Sequence, residues 1–132
     1  MIGLDTNVLV RYIVQDDAAQ SKAATRLIES RCQPEEPGFV SMLVLTELSW
    51  VLDRAYGYGR NQVARVIEAL LQTTELRVER PDIVRAALHE FDSGVADFAD
   101  GLIAADNIAS GCQTTFTFDK RASKLVAFTL IK

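Results

Sequence analysis

Histidine is nearly missing from this chain. Among 132 residues there is one, His89. It lies in the helical pattern Ile83, Val84, Ala87, Leu88, Phe91, on the side away from that apolar stripe, and reads as a surface residue. A single histidine excludes RNA cleavage by a histidine pair. A Ser-His-Asp triad would depend on His89, and no serine stands in a GxSxG nucleophile-elbow setting. Cysteine is also scarce. Cys32 and Cys112 are far apart and form no CxxC, which speaks against zinc and for reduced thiols in a packed protein. No apolar run approaches the ~18 residues of a membrane span. Met1 is not followed by a basic stretch, an apolar run and a cleavage site, so a cytoplasmic protein without a membrane partner is expected. Positive charge is short too: 14 Lys and Arg against 18 Asp and Glu leave a net charge of −4. Domains that bind nucleic acid over a broad face are usually basic. Any such contact here is expected to be local or mediated by metal.

What is present is a packed-domain composition, 48% hydrophobic and 24% charged. The length suits one domain, residues 1–132, with a sizeable core. The chain is organised around its opening, Met1-Ile2-Gly3-Leu4-Asp5-Thr6-Asn7-Val8-Leu9. A short apolar strand runs into an acid and two further capping residues. Val8, Leu9, Tyr12 and Ile13 then take helical spacing. Asp5 therefore sits at the carboxyl end of a strand, where open α/β sheets bind ligands; its plain alternative is a helix cap.

A second helix is expected from Asp17, which resembles a capping box with Gln20, to about Arg31. Residues 34–38 read as a loop, Phe39-Val40 as a strand, and Ser41 as the cap of a helix over Met42 to about Tyr56. That helix is apolar nearly all round, which predicts burial on most sides. Glu47 lies in its middle among Leu43, Val44, Trp50 and Val51. A lone carboxylate there would need a metal or a partner such as Arg54 or Arg11. Residues 61–72 form an amphipathic helix, Glu75 to Glu79 a strand, and Pro81 to about Phe91 a helix with proline in its first turn. The small-residue helix over 96–111 carries Asp97 and Asp100 on one face, each also a candidate for complementing the helix dipole. Thr114 to Phe118 is β-rich and ends at Asp119, a second strand-end acid. Lys120, Arg121 and Lys124 follow on a short turn before a last strand over 126–131. Alternating strands and helices predict an α/β fold with a mostly parallel central sheet and helices on both faces.

Asp5, Glu47, Asp100 and Asp119 are expected to converge. Two carboxylates about 4 Å apart repel by roughly 4 kcal/mol at an effective dielectric near 20. Four together call for cations or raised pKa values. Hard divalent ions with oxygen ligands suit such a site, and they activate water and stabilise the leaving oxygen of a phosphodiester. The reaction class that follows is metal-dependent phosphodiester hydrolysis.

Four stretches in order, Ile2 to Leu9, Thr46-Glu47-Leu48, Asp100-Gly101-Leu102-Ile103-Ala104-Ala105 and Thr117-Phe118-Asp119, resemble the PIN-domain ribonucleases, specifically the VapC toxins of bacterial toxin–antitoxin pairs. The resemblance implies a three-layer α/β/α sandwich. It implies Mg²⁺ or Mn²⁺ held chiefly by Asp5 and Asp100, with Glu47 and Asp119 completing the pocket and Asp97 a further candidate one turn earlier. Thr6, Asn7 and Thr117 would support these acids. It also implies an RNA substrate and a homodimer silenced by a small antitoxin. Water would be the nucleophile, leaving a 5′-phosphate. Lys120, Arg121, Lys124 and Arg11 are candidates for gripping phosphate. Trp50, Tyr56 and Tyr58, with the apolar stretch over 43–71, are expected to contribute to an antitoxin groove or a dimer contact. The alternatives are an RNA-processing nuclease without an antitoxin and a non-catalytic PIN-like binding module. An aspartyl-phosphate phosphatase would want an acid where Asn7 stands.

Overall fold

The computed structural model describes all residues from Met1 to Lys132. Contacts divide the chain into two compact units, Met1–Glu79 and Arg80–Lys132.

In the first unit, strand β1 (Ile2–Gly3) leads into helices α1 (Thr6–Val14) and α2 (Ala18–Arg31). Strand β2 (Gly38–Val40) leads into α3 (Met42–Tyr56) and α4 (Arg60–Gln72), and β3 (Leu76–Val78) follows. The three strands pair in parallel with β2 in the middle; Ile2 faces Gly38, and Val40 faces Val78. Each parallel step needs a long crossover, supplied here by a pair of helices. Helix boundaries follow side-chain caps. Asp17 accepts from the Gln20 amide at 2.8 Å, Ser41 from that of Val44 at 3.1 Å. Gly57, at φ +66°, ends α3 in the left-handed region that glycine enters most easily. Leu9, Val40, Leu45, Leu48, Leu52 and Ile67 are fully buried. Gly38 lies so deep that an added Cβ would stand 2.8 Å from the Cys32 sulfur and 2.9 Å from Leu4.

Helix α3 departs from the burial expected of it. Leu45, Leu48 and Leu52 are buried, whereas Leu43 is 79% and Trp50 39% exposed. Apolar residues all round the helix do not imply cover all round. Arg54 lies over the Trp50 ring, 5.4 Å from its centroid. Arg11 bridges elements by donating to Asp16 at 2.8 Å and Gln20 at 2.7 Å, while Tyr56 donates to Asp16 at 2.8 Å.

In the second unit, α5 (Pro81–Asp92) packs on α6 (Phe98–Ala109). Phe91 and Phe98 meet edge to face with centroids 6.1 Å apart. Strands β4 (Thr115–Thr117) and β5 (Phe128–Leu130) pair in parallel, joined through a 3-10 turn over Ala122–Lys124. Ala96, Ala104, Ala122, Leu125 and Phe128 form a small core. All strand pairings among the five named strands are parallel, as the alternation predicted. His89 is exposed, as its position off the α5 stripe predicted. Both cysteines are free; Cys32 is buried, but Cys112 lies at the surface and not in a core. No helix is long and apolar enough to cross a membrane.

Candidate active site

In the first unit, β1 delivers Asp5 to the start of α1. Its Oδ1 accepts from the Thr6 amide at 2.8 Å, so Asp5 does cap the helix. One oxygen suffices for that, and the residue stays exposed. The buried Thr6 turns its hydroxyl to Glu47, donating to Oε1 at 2.8 Å. The carboxylates of Asp5 and Glu47 are thereby both tied to Thr6, one to its amide and the other to its hydroxyl. Glu47 is exposed, not desolvated, and its partner is Thr6 and neither Arg54 nor Arg11. Arg54 is taken by Trp50, and Arg11 by Asp16 and Gln20. Asn7 is exposed at the same turn.

Glu79, just past β3, shows that an acid at a strand end is not by itself a site. Its Oε1 accepts from the Met42 amide at 2.9 Å and so secures the start of α3.

In the second unit, α6 begins at Phe98 and not at Ala96, because Asp97 is its cap. The Asp97 carboxylate accepts from the Asp100 amide at 2.7 Å. Asp100 follows in the first helical turn and is half-buried. Its pKa is raised to about 6, first by burial, then by the charge of Asp97 and the hydrogen bond the two carboxyls share, then by the charge of Asp119. Asp119 follows β4. Its Oδ1 accepts from the amides of Arg121 at 2.8 Å and Ala122 at 3.2 Å, which shapes the 3-10 turn. Thr117 supports it from the strand: the Asp119 amide donates to Thr117 Oγ1 at 3.0 Å. Lys120, Arg121 and Lys124 are exposed around this turn.

Gly101 has a role that the spacing alone did not reveal. An added Cβ there would stand 3.0 Å from the Ala87 carbonyl oxygen and 3.2 Å from its Cα. Helices α5 and α6 therefore cross at nearly backbone contact, and that crossing fixes the turn that carries Asp100. A glycine directly after a helical acid, inside an otherwise alanine-rich face, was the available signal.

No group of three or more Asp, Glu, His or Cys side chains is assembled closely enough to hold a metal ion. The donor chemistry nonetheless fits a hard divalent cation. The site residues offer carboxylate oxygens, and the Asp100 carboxyl, half-buried and beside Asp97, would be favoured in its charged form by a cation.

Residues 2–127 match the PIN domain family. The chain is also similar to a VapC ribonuclease of Aquifex aeolicus (strain VF5), with 25% identity over 122 residues, 92% of this chain and 90% of that one. No solved structure matches the chain.

Proposed function

The chain belongs to the PIN-domain family, with the α/β/α class that the resemblance implied, and we propose that it is a metal-dependent endoribonuclease acting as the toxin of a toxin–antitoxin pair. The observation that carries this reading is the head of α6, where the Asp97 carboxylate accepts from the Asp100 amide at 2.7 Å and holds two acids side by side, in a chain that matches the PIN domain family over residues 2–127. Structural acids are usually arranged to avoid such crowding, and strongly perturbed groups gather at functional sites.

Asp5 and Asp100 would hold Mg²⁺ or Mn²⁺, with Glu47 and Asp119 completing the ligand set. When bound, the ion would supply Lewis-acid activation of water and stabilisation of the departing oxygen. The chain's own residues do the remaining work. Thr6 fixes the direction of Glu47 by a hydrogen bond to one oxygen, which leaves the other for a ligand. Asp97 holds the first turn of α6, so it serves the site by positioning Asp100. Lys120, Arg121 and Lys124, exposed around the turn that Asp119 shapes, would bind phosphate oxygens. Arg11 is already engaged within its own unit, which leaves the grip on phosphate to those three.

Hydrolysis by water leaves a 5′-phosphate and a 3′-hydroxyl. Incubation of RNA with the protein and Mg²⁺ or Mn²⁺ tests this. Cutting should stop with a chelator, and calcium should support binding better than turnover. Products ending in 2′,3′-cyclic phosphate, formed equally well in chelator, would overturn the reading. The toxin role is tested by co-expression with a small protein encoded beside it, which should form a stable complex and suppress cutting. Exposed Leu43 and Trp50 on α3 support such a protein contact, with an antitoxin or with a second copy in a homodimer. Sedimentation as a strict monomer, with no such complex, would count against both partners.

A further inference from the structure

Strand β4 and the residue that follows it read Thr115-Phe116-Thr117-Phe118. The two threonines, two apart within the strand, point the same way. The threonines use their side chains inside the unit: Thr115 Oγ1 accepts from Asn107 Nδ2 at 2.9 Å, and Thr117 Oγ1 from the Asp119 amide at 3.0 Å. The phenylalanines do the opposite. Phe116 is 66% and Phe118 79% exposed, although phenylalanine is ordinarily a core residue. Neither joins the small core built from Ala96, Ala104, Ala122, Leu125 and Phe128.

The residues that follow give this patch its sign. Lys120, Arg121 and Lys124 place three cations within five positions of a chain whose net charge is −4. None of the three takes part in a side-chain ion pair; the salt bridges are Met1–Glu36, Arg11–Asp16 and Arg80–Asp82. Two exposed rings, then an acid, then three uncommitted cations make a poor surface for an apolar protein partner, which would have to desolvate those cations. They suit a flexible single strand, whose bases have π-faces and whose backbone is anionic.

We infer that Phe116 and Phe118 are a stacking platform for unpaired bases of a single-stranded RNA, with Lys120, Arg121 and Lys124 gripping the phosphates beside them. The inference rests on the nuclease reading and adds to it two positioning residues: Phe116 and Phe118, whose exposed rings would hold unpaired bases next to Asp119. Duplex RNA, whose bases are stacked on one another, would not use the rings. The phenylalanines position the strand and take no part in the chemistry.

The test uses the full chain and a short unstructured oligoribonucleotide, with its duplex as comparison. Binding is measured in calcium and cleavage in Mg²⁺. The Phe116→Ser and Phe118→Ser variants should each weaken single-strand binding by roughly tenfold, in line with the usual worth of base–aromatic stacking. Duplex binding should change little. The loss in cleavage should appear mainly in KM. Phe116→Tyr and Phe118→Tyr retain a ring and should restore binding, which a merely structural role in a serine-sensitive fold would not distinguish so cleanly from Phe→Leu. Leucine keeps the apolar volume without the ring and should fail to restore it. Lys120→Gln with Arg121→Gln should flatten the salt dependence of binding by about 1.4 in log–log slope, the share of two phosphates on a single strand. Wild-type cutting with no effect of the serine variants would overturn the platform and leave the nuclease standing. Serine variants that lose a protein complex while binding RNA normally would overturn it in favour of a protein contact. A wild-type chain that neither binds nor cuts the oligonucleotide would overturn the nuclease reading and the platform with it.

Discussion

The two units carry acids of the same type in different circumstances. In Met1–Glu79 every acid tied to a helix start or a turn has a donor. Asp5 accepts from the Thr6 amide, Glu47 from the Thr6 hydroxyl and Glu79 from the Met42 amide. In Arg80–Lys132 the donors are backbone amides that draw the acids together. Asp97 takes the Asp100 amide, and Asp100 is left beside two other carboxylates with its pKa at about 6. The first arrangement is at ease without a ligand. The second keeps Asp100 half-buried and within reach of the charges of Asp97 and Asp119. A cation would change the second far more than the first.

The largest expected effect lies in activity and should erase the contrast. Asp100→Asn and Asp5→Asn should each lower the cleavage rate by about 10²–10³-fold, the usual scale for losing one group that stabilises developing charge. Asparagine is as good a helix cap as aspartate, so Asp5→Asn should leave folding intact. A variant that unfolds would make Asp5 a structural cap alone. Cleavage surviving in either variant would separate that unit's acids from the chemistry.

Next in size is the packing that holds the second group. Gly101→Leu forces a side chain against the Ala87 backbone and should destabilise the fold by about 1–3 kcal/mol, a drop of several degrees in Tm. Gly3 in β1 is the control, because an added Cβ there meets nothing within 4 Å. Gly3→Ala should change Tm by a degree or so. Equal losses at the two glycines would show that close helix crossing is not what sets Asp100.

A smaller effect belongs to the donor that serves the first unit. Thr6→Val keeps the shape and removes the hydroxyl from Glu47. Outer partners of a ligating carboxylate usually matter by 10–100-fold in metal affinity. Half-maximal cleavage should therefore need roughly tenfold more Mg²⁺, with stability nearly unchanged because Glu47 is exposed. An unchanged Mg²⁺ requirement would break the link from Thr6 through Glu47 to the ion.

Much of this was legible from residue order, and the failures share a cause. Asp17, Ser41 and Pro81 marked their helix boundaries because caps and breakers act through the nearest few residues. Asp97 was misplaced inside its helix because an acid in a first turn and an acid at the cap differ by a single step. Glu47 was expected to be desolvated because Leu43 and Trp50 flank it, yet both are exposed. Phe116 and Phe118, in the stretch read as β-rich, face outward as well. Periodicity tells which residues share a face. Whether anything covers that face depends on residues distant in sequence. The influence of Asp119 on Asp100 is of the same non-local kind, whereas Asp97 meets Asp100 within a single turn.

The smallest expected effect is the most direct measure of the contrast, and it is a matter of pH. Asp100 has a folded-state pKa of about 6 against an ordinary value of 3.8. The fold therefore favours its neutral form. The associated stability is fully present below about 3.8 and is lost as pH rises through about 6. Taken whole, such a shift would correspond to about 3 kcal/mol. The group keeps much of its contact with solvent, so a contribution nearer 1 kcal/mol is expected, a few degrees in Tm. In chelator, Asp100→Asn should thus melt a few degrees above the wild type at pH 8 and close to it at pH 4. Asp5→Asn, whose cap survives the change, should show no comparable gain at either pH. Adding Mg²⁺ at pH 8 should raise the melting temperature of the wild type and narrow the gap to Asp100→Asn. A gain from Asp100→Asn that is equal at both pH values would trace to something other than its ionisation, and the two groups of acids would then be alike after all.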